Sequence, residues 1–316
     1  AGRIGVRWMA MTASSASKIP PLSPYGTLQG SLFQYSRNLV AFESAVANSP
    51  SKCILVGGLS DGLVPTPYTE ALNEMCQAVG WSLVQPIISS SYLGFGNGDL
   101  ERDSSELTQL LLYLKAHRSA EKFCLIGHST GCQNSVHYLK HGDAEMIQLI
   151  KAVVLQAPVS DREDAMRQQP EYDNNIAHAR KLADEGKELE MMPRSAFWAP
   201  ITAKRFRDLQ DIGGADDFFS SDLSEEQLVE RLGHIGTANV DVLLVAFSGA
   251  DEYVPKDIDT RTLTDRLCNA MNKYCESSET QVAEPFYIET GNHNLSEGEG
   301  DATRLIEKVG EILTRI

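Results

Sequence analysis

Gly127-His128-Ser129-Thr130-Gly131 sets a serine between two glycines, where the apolar run Phe123 to Ile126 meets a helical stretch. This is the pattern of a nucleophile elbow: the serine occupies a strained strand-to-helix turn, and the glycines let strand and helix approach more closely than side chains allow. A serine hydroxyl is a weak nucleophile at neutral pH unless a positioned base takes its proton. Of the seven histidines, His293 is the candidate base, because TGNHNLSEG forms a loop after the apolar strand Phe286 to Ile288 and before the last helix. His128, fixed beside the serine, is expected to contact substrate from the wall of the site. His117, His137, His141, His178 and His234 lie in helical segments, where packing or surface roles suffice.

The imidazole in turn needs a buried carboxylate to fix its tautomer and stabilise its charged form. Asp251, in FSGADEYVP directly after Val242 to Phe247, completes the order serine, acid, histidine. Glu252, its neighbour, and Asp161 in APVSDRED, after the preceding strand, are the rivals. A tetrahedral oxyanion requires two backbone N–H donors. Thr130, next after the serine, supplies one, and the glycine-rich turn Gly57-Gly58-Leu59-Ser60-Asp61-Gly62 supplies the other from Leu59 or Gly58. GFGNGD superficially suggests a dinucleotide loop, but its glycine spacing is wrong and no acidic ribose partner comes after it. No His, Cys or carboxylate group has metal-ligand spacing, so neither a cofactor nor a metal is expected.

The elements that must position these residues are legible as alternating β and helical runs from Lys52 onward, the pattern of a mainly parallel sheet covered on both faces. KCILVGG, WSLVQPII, KFCLIG, IKAVVLQAP, VDVLLVAFS and EPFYIE read as strands. Thr66 and Pro67 read as N-cap and first residue of a helix reaching about Val79. SSSYLGFGNGDLERD reads as a loop, and GTLQGSLFQYS as an antiparallel edge strand. Residues 159–236 carry polar helices and no convincing strand, so they read as a helical lid inserted into a core of residues 24–158 and 237–316. Residues 1–23 read as an unstructured leader whose Arg3, Arg7 and Lys18 faintly resemble a mitochondrial presequence. In the lid, Met191, Met192, Phe197, Trp198, Phe218 and Phe219 suit an apolar inner face. Trp198 is expected against substrate, and Arg162 is expected to point into the pocket towards a carboxylate or similar oxygen.

Bulk properties narrow the class. The 316 residues fit one large α/β core with an insertion, and 42% hydrophobic with 22% charged residues is ordinary for a globular chain. A formal charge of -15 disfavours nucleic-acid and anionic-lipid partners, and no apolar run reaches the roughly 20 residues of a membrane span. The six cysteines are widely spaced without a CxxC pair, which points to a reducing, cytoplasmic compartment. A surface disulfide between Cys268 and Cys275 is the alternative.

The segments LVGGLSDGLVPTPY, GHSTGCQNSVHYL, QAPVSDRED and DDFFSSDLSEEQL together resemble a branch of the α/β-hydrolase superfamily long catalogued as a domain of unknown function, which includes fungal siderophore esterases. The likeness covers nearly everything after about Pro24. It implies the α/β-hydrolase fold and an intracellular serine esterase acting on a small-molecule ester, with the cyclic hydroxamates of the fusarinine type as the family's best understood substrates. Two other readings stand beside it. One is a different serine hydrolase (thioesterase, lipase or peptidase) using the same residues; the other is a non-catalytic binding member, which would have no need of Ser129, Asp251 and His293 together. The oligomeric state is not readable from the sequence.

Overall fold

The strands β3 (Ser51–Val56), β4 (Ser82–Pro86), β5 (Lys122–His128), β6 (Ile150–Gln156) and β7 (Val242–Ser248) are apolar along nearly their whole length and buried on both faces, as strands sandwiched between helical layers must be. The structure is a computed structural model and describes residues 27–44 and 49–316; the expected leader, residues 1–23, lies outside the described residues. With β1 (Gly30–Ser36), β2 (Leu39–Ser44) and β8 (Ala283–Ile288), these strands form an eight-stranded sheet in the order β1-β2-β4-β3-β5-β6-β7-β8. Pairing is parallel from β4 to β8 and antiparallel at β1–β2 and β2–β4. This is the α/β-hydrolase fold.

The period-2 alternation of side chains divides the core in two. Ile54, Leu125, Val153 and Leu243 face one layer of helices; Cys53, Cys124, Ala152 and Leu244 face the other. The helices are α1 (Thr69–Ala78), α2 (Leu100–His117), α3 (Thr130–His141), α4 (Ala144–Gln148), α5 (Asp161–Gln168), α6 (Tyr172–Asp184), α7 (Ala203–Gln210), α8 (Glu225–Leu232), α9 (Thr260–Met271) and α10 (Asp301–Arg315).

The fold departs from the local expectations in several places. The edge segment is a hairpin, turned at Asn38 with φ 63°. Helix α1 starts at Thr69, because the Thr66 carbonyl accepts the Thr69 N–H and the two hydroxyls bond at 2.9 Å, closing a separate turn first. Within the expected loop, Tyr92–Asn97 winds into a short 3-10 helix.

Residues 159–236 divide into two parts. Helices α5, α6 and α7 pack on one another around Tyr172, Ile176, Phe197, Ile201 and Phe206, a cluster of their own that also takes in Phe95. Beyond them, Phe218, Phe219, Leu223, Leu228, Leu232 and Ile235 belong to the main core under α9. Phe218 and Phe219 therefore do not line an inner lid face. Met191 is half exposed, while Met192 and Phe197 are buried.

Candidate active site

At the carboxyl end of β5 the chain turns sharply through Ser129, whose φ of 53° and ψ of -125° lie in a region costly for any residue with a Cβ. Gly131 makes that turn buildable: a Cβ there would sit 2.2 Å from the Val56 carbonyl oxygen. A Cβ on Gly127 would lie 2.3 Å from the Gly131 carbonyl oxygen. The glycines are thus required by the close approach of α3 to β3 and β5, and the serine is presented above the strand ends. Ser129 and His293 line one cavity of about 530 Å³, together with His128, Asp161, Trp198 and Tyr253.

The loop after β8 brings His293 over this cavity, and the loop after β7 brings Asp251 behind it. Nδ1 of His293 lies 2.9 Å and 3.0 Å from the two carboxylate oxygens of Asp251, whose side chain is fully buried. This bond fixes the imidazole with Nδ1 as donor, leaving Nε2 as the nitrogen that faces the cavity. Among the described residues the side chain of His293 makes no other hydrogen bond, and such contacts between base and nucleophile commonly tighten only when substrate is bound. Tyr253 stands edge-on to the imidazole, ring centres 4.6 Å apart.

The two rival acids are occupied elsewhere. Glu252 accepts the backbone N–H of His293 at 2.9 Å, so it holds the loop and not the ring. Asp161 accepts from the Gln133 amide at 3.2 Å and makes no bond to the histidine. Burial, reinforced by the charge of Asp216, pushes the Asp161 carboxyl up to about 7.

For the oxyanion donors the structure removes one candidate. The Gly58 N–H is taken by the Asp61 carboxylate at 2.7 Å, so Gly58 cannot supply the second N–H. Leu59, next in the same turn, lines the cavity, and its N–H meets no acceptor among the described residues. Thr130 heads α3, where an N–H has no intrahelical partner. Gly58 serves by close approach instead: its absent Cβ would lie 2.7 Å from the Ser129 Cβ.

Arg162 also has to be corrected. It is 1% exposed, and its guanidinium donates from Nε to Asp217 at 3.0 Å and from Nη1 to Asp222 at 3.0 Å, with a further contact to Asp222 through Nη2. Its fork is saturated by carboxylates that lie more than fifty residues later in the chain, and it does not reach the cavity. Trp198 does line it, 56% exposed. His128 is on the wall as expected, its ring centre 5.0 Å from that of His293. Burial first, and the neighbouring His293 second, hold the His128 pKa down at about 3.

One residue behind the site has no counterpart among the sequence-based candidates. Gln156, at the end of β6 and fully buried, donates from its amide to the His293 carbonyl at 2.9 Å. Its oxygen accepts from the Tyr68 hydroxyl at 2.9 Å and from His128 Nδ1 at 2.6 Å. His128 is therefore neutral, with its proton on Nδ1 and an unprotonated Nε2. The signal is present in the sequence as a lone amide closing the apolar strand IKAVVLQ.

The fold defines an α/β-hydrolase, and solved structures agree. Siderophore hydrolase EstB from Aspergillus fumigatus superposes with a TM-score of 0.78 at 30% identity, covering 93% of this chain and 99% of that one. An α/β-hydrolase fold protein of unknown function superposes with a TM-score of 0.66 at 19% identity, over 92% and 97% of the two chains, and supports the fold alone. Residues 13–314 match the family described as "Protein of unknown function (DUF1749)", and the chain belongs to that family. Fusarinine C esterase sidJ of Aspergillus fumigatus is 34% identical over 306 residues, 81% of this chain and 86% of that protein. A Schizosaccharomyces pombe UPF0613 protein is 36% identical over 267 residues, 75% of this chain and 82% of that one.

Proposed function

We propose that this protein is an intracellular serine esterase that hydrolyses carboxylic esters, hydroxamate siderophores among them. What carries the reading is the buried Asp251–His293 pair, whose histidine lines one cavity together with Ser129 at its strained turn. In this reading His293 Nε2 takes the Ser129 proton as Oγ attacks the ester carbonyl, and the Thr130 and Leu59 N–H groups receive the oxyanion. Collapse of the tetrahedral adduct expels the alcohol, which leaves with the proton from His293. A water molecule, deprotonated by the same nitrogen, then cleaves the acyl-serine and releases a carboxylic acid. Asp251 keeps Nδ1 protonated throughout. Residues 159–236 act as the lid, with the part from α5 to α7 roofing the cavity.

The siderophore element rests on the names of the relatives, fusarinine C esterase and siderophore hydrolase. The intracellular element rests on the cysteines, all six of which are free thiols. Among the described residues no helix is long and apolar enough to cross a membrane.

A fluorophosphonate probe should label the wild type and fail to label Ser129→Ala. Wild-type protein that resists the probe would remove the serine mechanism. A panel of p-nitrophenyl esters, acyl thioesters and ferric or iron-free hydroxamate esters then sets the substrate class, and faster cleavage of thioesters than of every oxygen ester would replace the esterase by a thioesterase.

A further inference from the structure

The cavity is lined by more carboxyl groups than the reaction requires. Asp61, Asp161, Asp164 and Glu252 all contribute to its wall, and among the described residues no lysine or arginine does. Their partners are uncharged donors: the Gly58 N–H for Asp61, the Gln133 amide for Asp161, the Gln168 amide for Asp164 and the His293 N–H for Glu252. The nearby arginines are spent on other acids, Arg162 on Asp217 and Asp222, Arg205 on Asp216, and Arg167 on Asp257. Burial pushes the carboxyls of Asp61, Asp161 and Asp164 upward, so each holds its proton more tightly until a cation seated beside it favours the carboxylate.

A second, independent set of groups points the same way. Trp198 and Tyr253 line the cavity 56% and 46% exposed, and among the described residues no protein cation lies over either ring. Gln210 is 3% exposed on the same wall, and its Oε1 has no hydrogen-bond partner among the described residues. Aromatic faces, carboxylates and an unmet amide oxygen all favour a positively charged N–H donor.

From these groups we infer that the cavity selects esters carrying a protonated amine on the acyl or alcohol part, with Asp161 and Asp164 as the seat of the ammonium and Trp198 and Tyr253 as its aromatic walls. The inference rests on the esterase reading for its kinetic test, but not for its binding test.

The kinetic test compares p-nitrophenyl 6-aminohexanoate with p-nitrophenyl heptanoate, which differ only by an ammonium in place of a terminal methyl. The wild type should favour the amine by about tenfold or more in kcat/KM, the equivalent of one neutralised charge contact. Asp161→Asn with Asp164→Asn should bring that ratio close to one. A wild-type ratio at or below one, with the heptanoate turned over normally, overturns the inference and leaves the esterase reading standing. Should neither ester be cleaved, the esterase reading fails, and calorimetry on Ser129→Ala decides the charge preference alone. Hexylammonium should bind at least tenfold more tightly than 1-hexanol, and equal affinities would overturn it. Circular dichroism of the double variant ensures that a lost ratio is read on folded protein.

Discussion

The floor of the cavity and its roof are built from different kinds of sequence. The floor is the edge of the sheet: Ser129 comes directly after β5, and Asp251 and His293 lie in the loops that follow β7 and β8. The roof, α5 to α7, has no strand of the main sheet. It coheres through an apolar cluster that also takes in Phe95 from outside the roof, and it is tied to the rest by ion pairs as well, among them Arg162 with Asp217 and Asp222 and Lys204 with Asp99. The later stretch of the insertion, from Phe218 to Ile235, is core in all but position. In the proposed reading, chemistry sits at the edge of the central sheet and recognition on helices that contribute no strand to it.

If the floor alone carries the chemistry, Ser129→Ala should cut kcat on p-nitrophenyl acetate by about a million-fold while leaving the thermal unfolding curve in place, and His293→Ala should fall as far. More than a few per cent of residual activity would take the serine out of its role. Asp251→Asn should cost about ten-thousand-fold on the same ester through the wrong imidazole tautomer, and Asp161→Asn, a roof residue, far less. The reverse ranking in steady-state kinetics would move the acid from the floor to the roof.

The tie between the two regions is tested by Arg162→Ala. Removing the guanidinium strands the fully buried Asp217 carboxylate, so urea denaturation should show a loss of about 3–5 kcal/mol. Activity in the folded fraction should survive on p-nitrophenyl acetate, since the side chain does not reach the cavity. A stability loss under about 1 kcal/mol would show that apolar packing, and not this ion pair, holds the roof.

The smallest effect concerns the neutral His128 of the floor. Its pKa is about 3 in the folded protein against 6.5 for an unperturbed histidine, so the unfolded chain binds the proton more readily. The stability this confers is complete above pH 6.5 and is lost as pH falls towards 3, by up to about 1.4 kcal/mol per pH unit. Between about pH 6.5 and 5 the wild type should lose about 2 kcal/mol more than His128→Asn, measured by urea unfolding at both values. Parallel losses would mean that His128 is protonated in the folded protein.

The floor is far more legible in the sequence than the roof, for a physical reason. Strand-to-loop junctions are local patterns: an apolar run followed by GHSTG, GAD or GNH marks its own position, which is why Ser129, Asp251 and His293 can be proposed from neighbours a few residues away. Arg162 cannot be placed that way, because its partners Asp217 and Asp222 are distant in sequence and nothing around APVSDRED announces them. The same holds for Gln156, whose role depends on Tyr68, His128 and His293 meeting at one point. Gly58 reads as a donor only until the turn is folded, when Asp61 reaches its N–H and takes it. The helix start at Thr69 escapes the sequence for a local reason, since a Thr-Pro pair serves a turn as readily as a cap.

The uncompensated carboxylates around the cavity bear on the end of the catalytic cycle as well. Hydrolysis of an ester converts a neutral group into an anion, so the acid product is born among the carboxyl groups of Asp61, Asp164 and Glu252 and is repelled by those that are ionised. Product should leave quickly and rebind poorly. Heptanoate is accordingly expected to inhibit turnover of its own p-nitrophenyl ester with a Ki well above the KM, in an initial-rate assay at neutral pH, and tight inhibition by heptanoate would show that the wall is neutralised in the working enzyme.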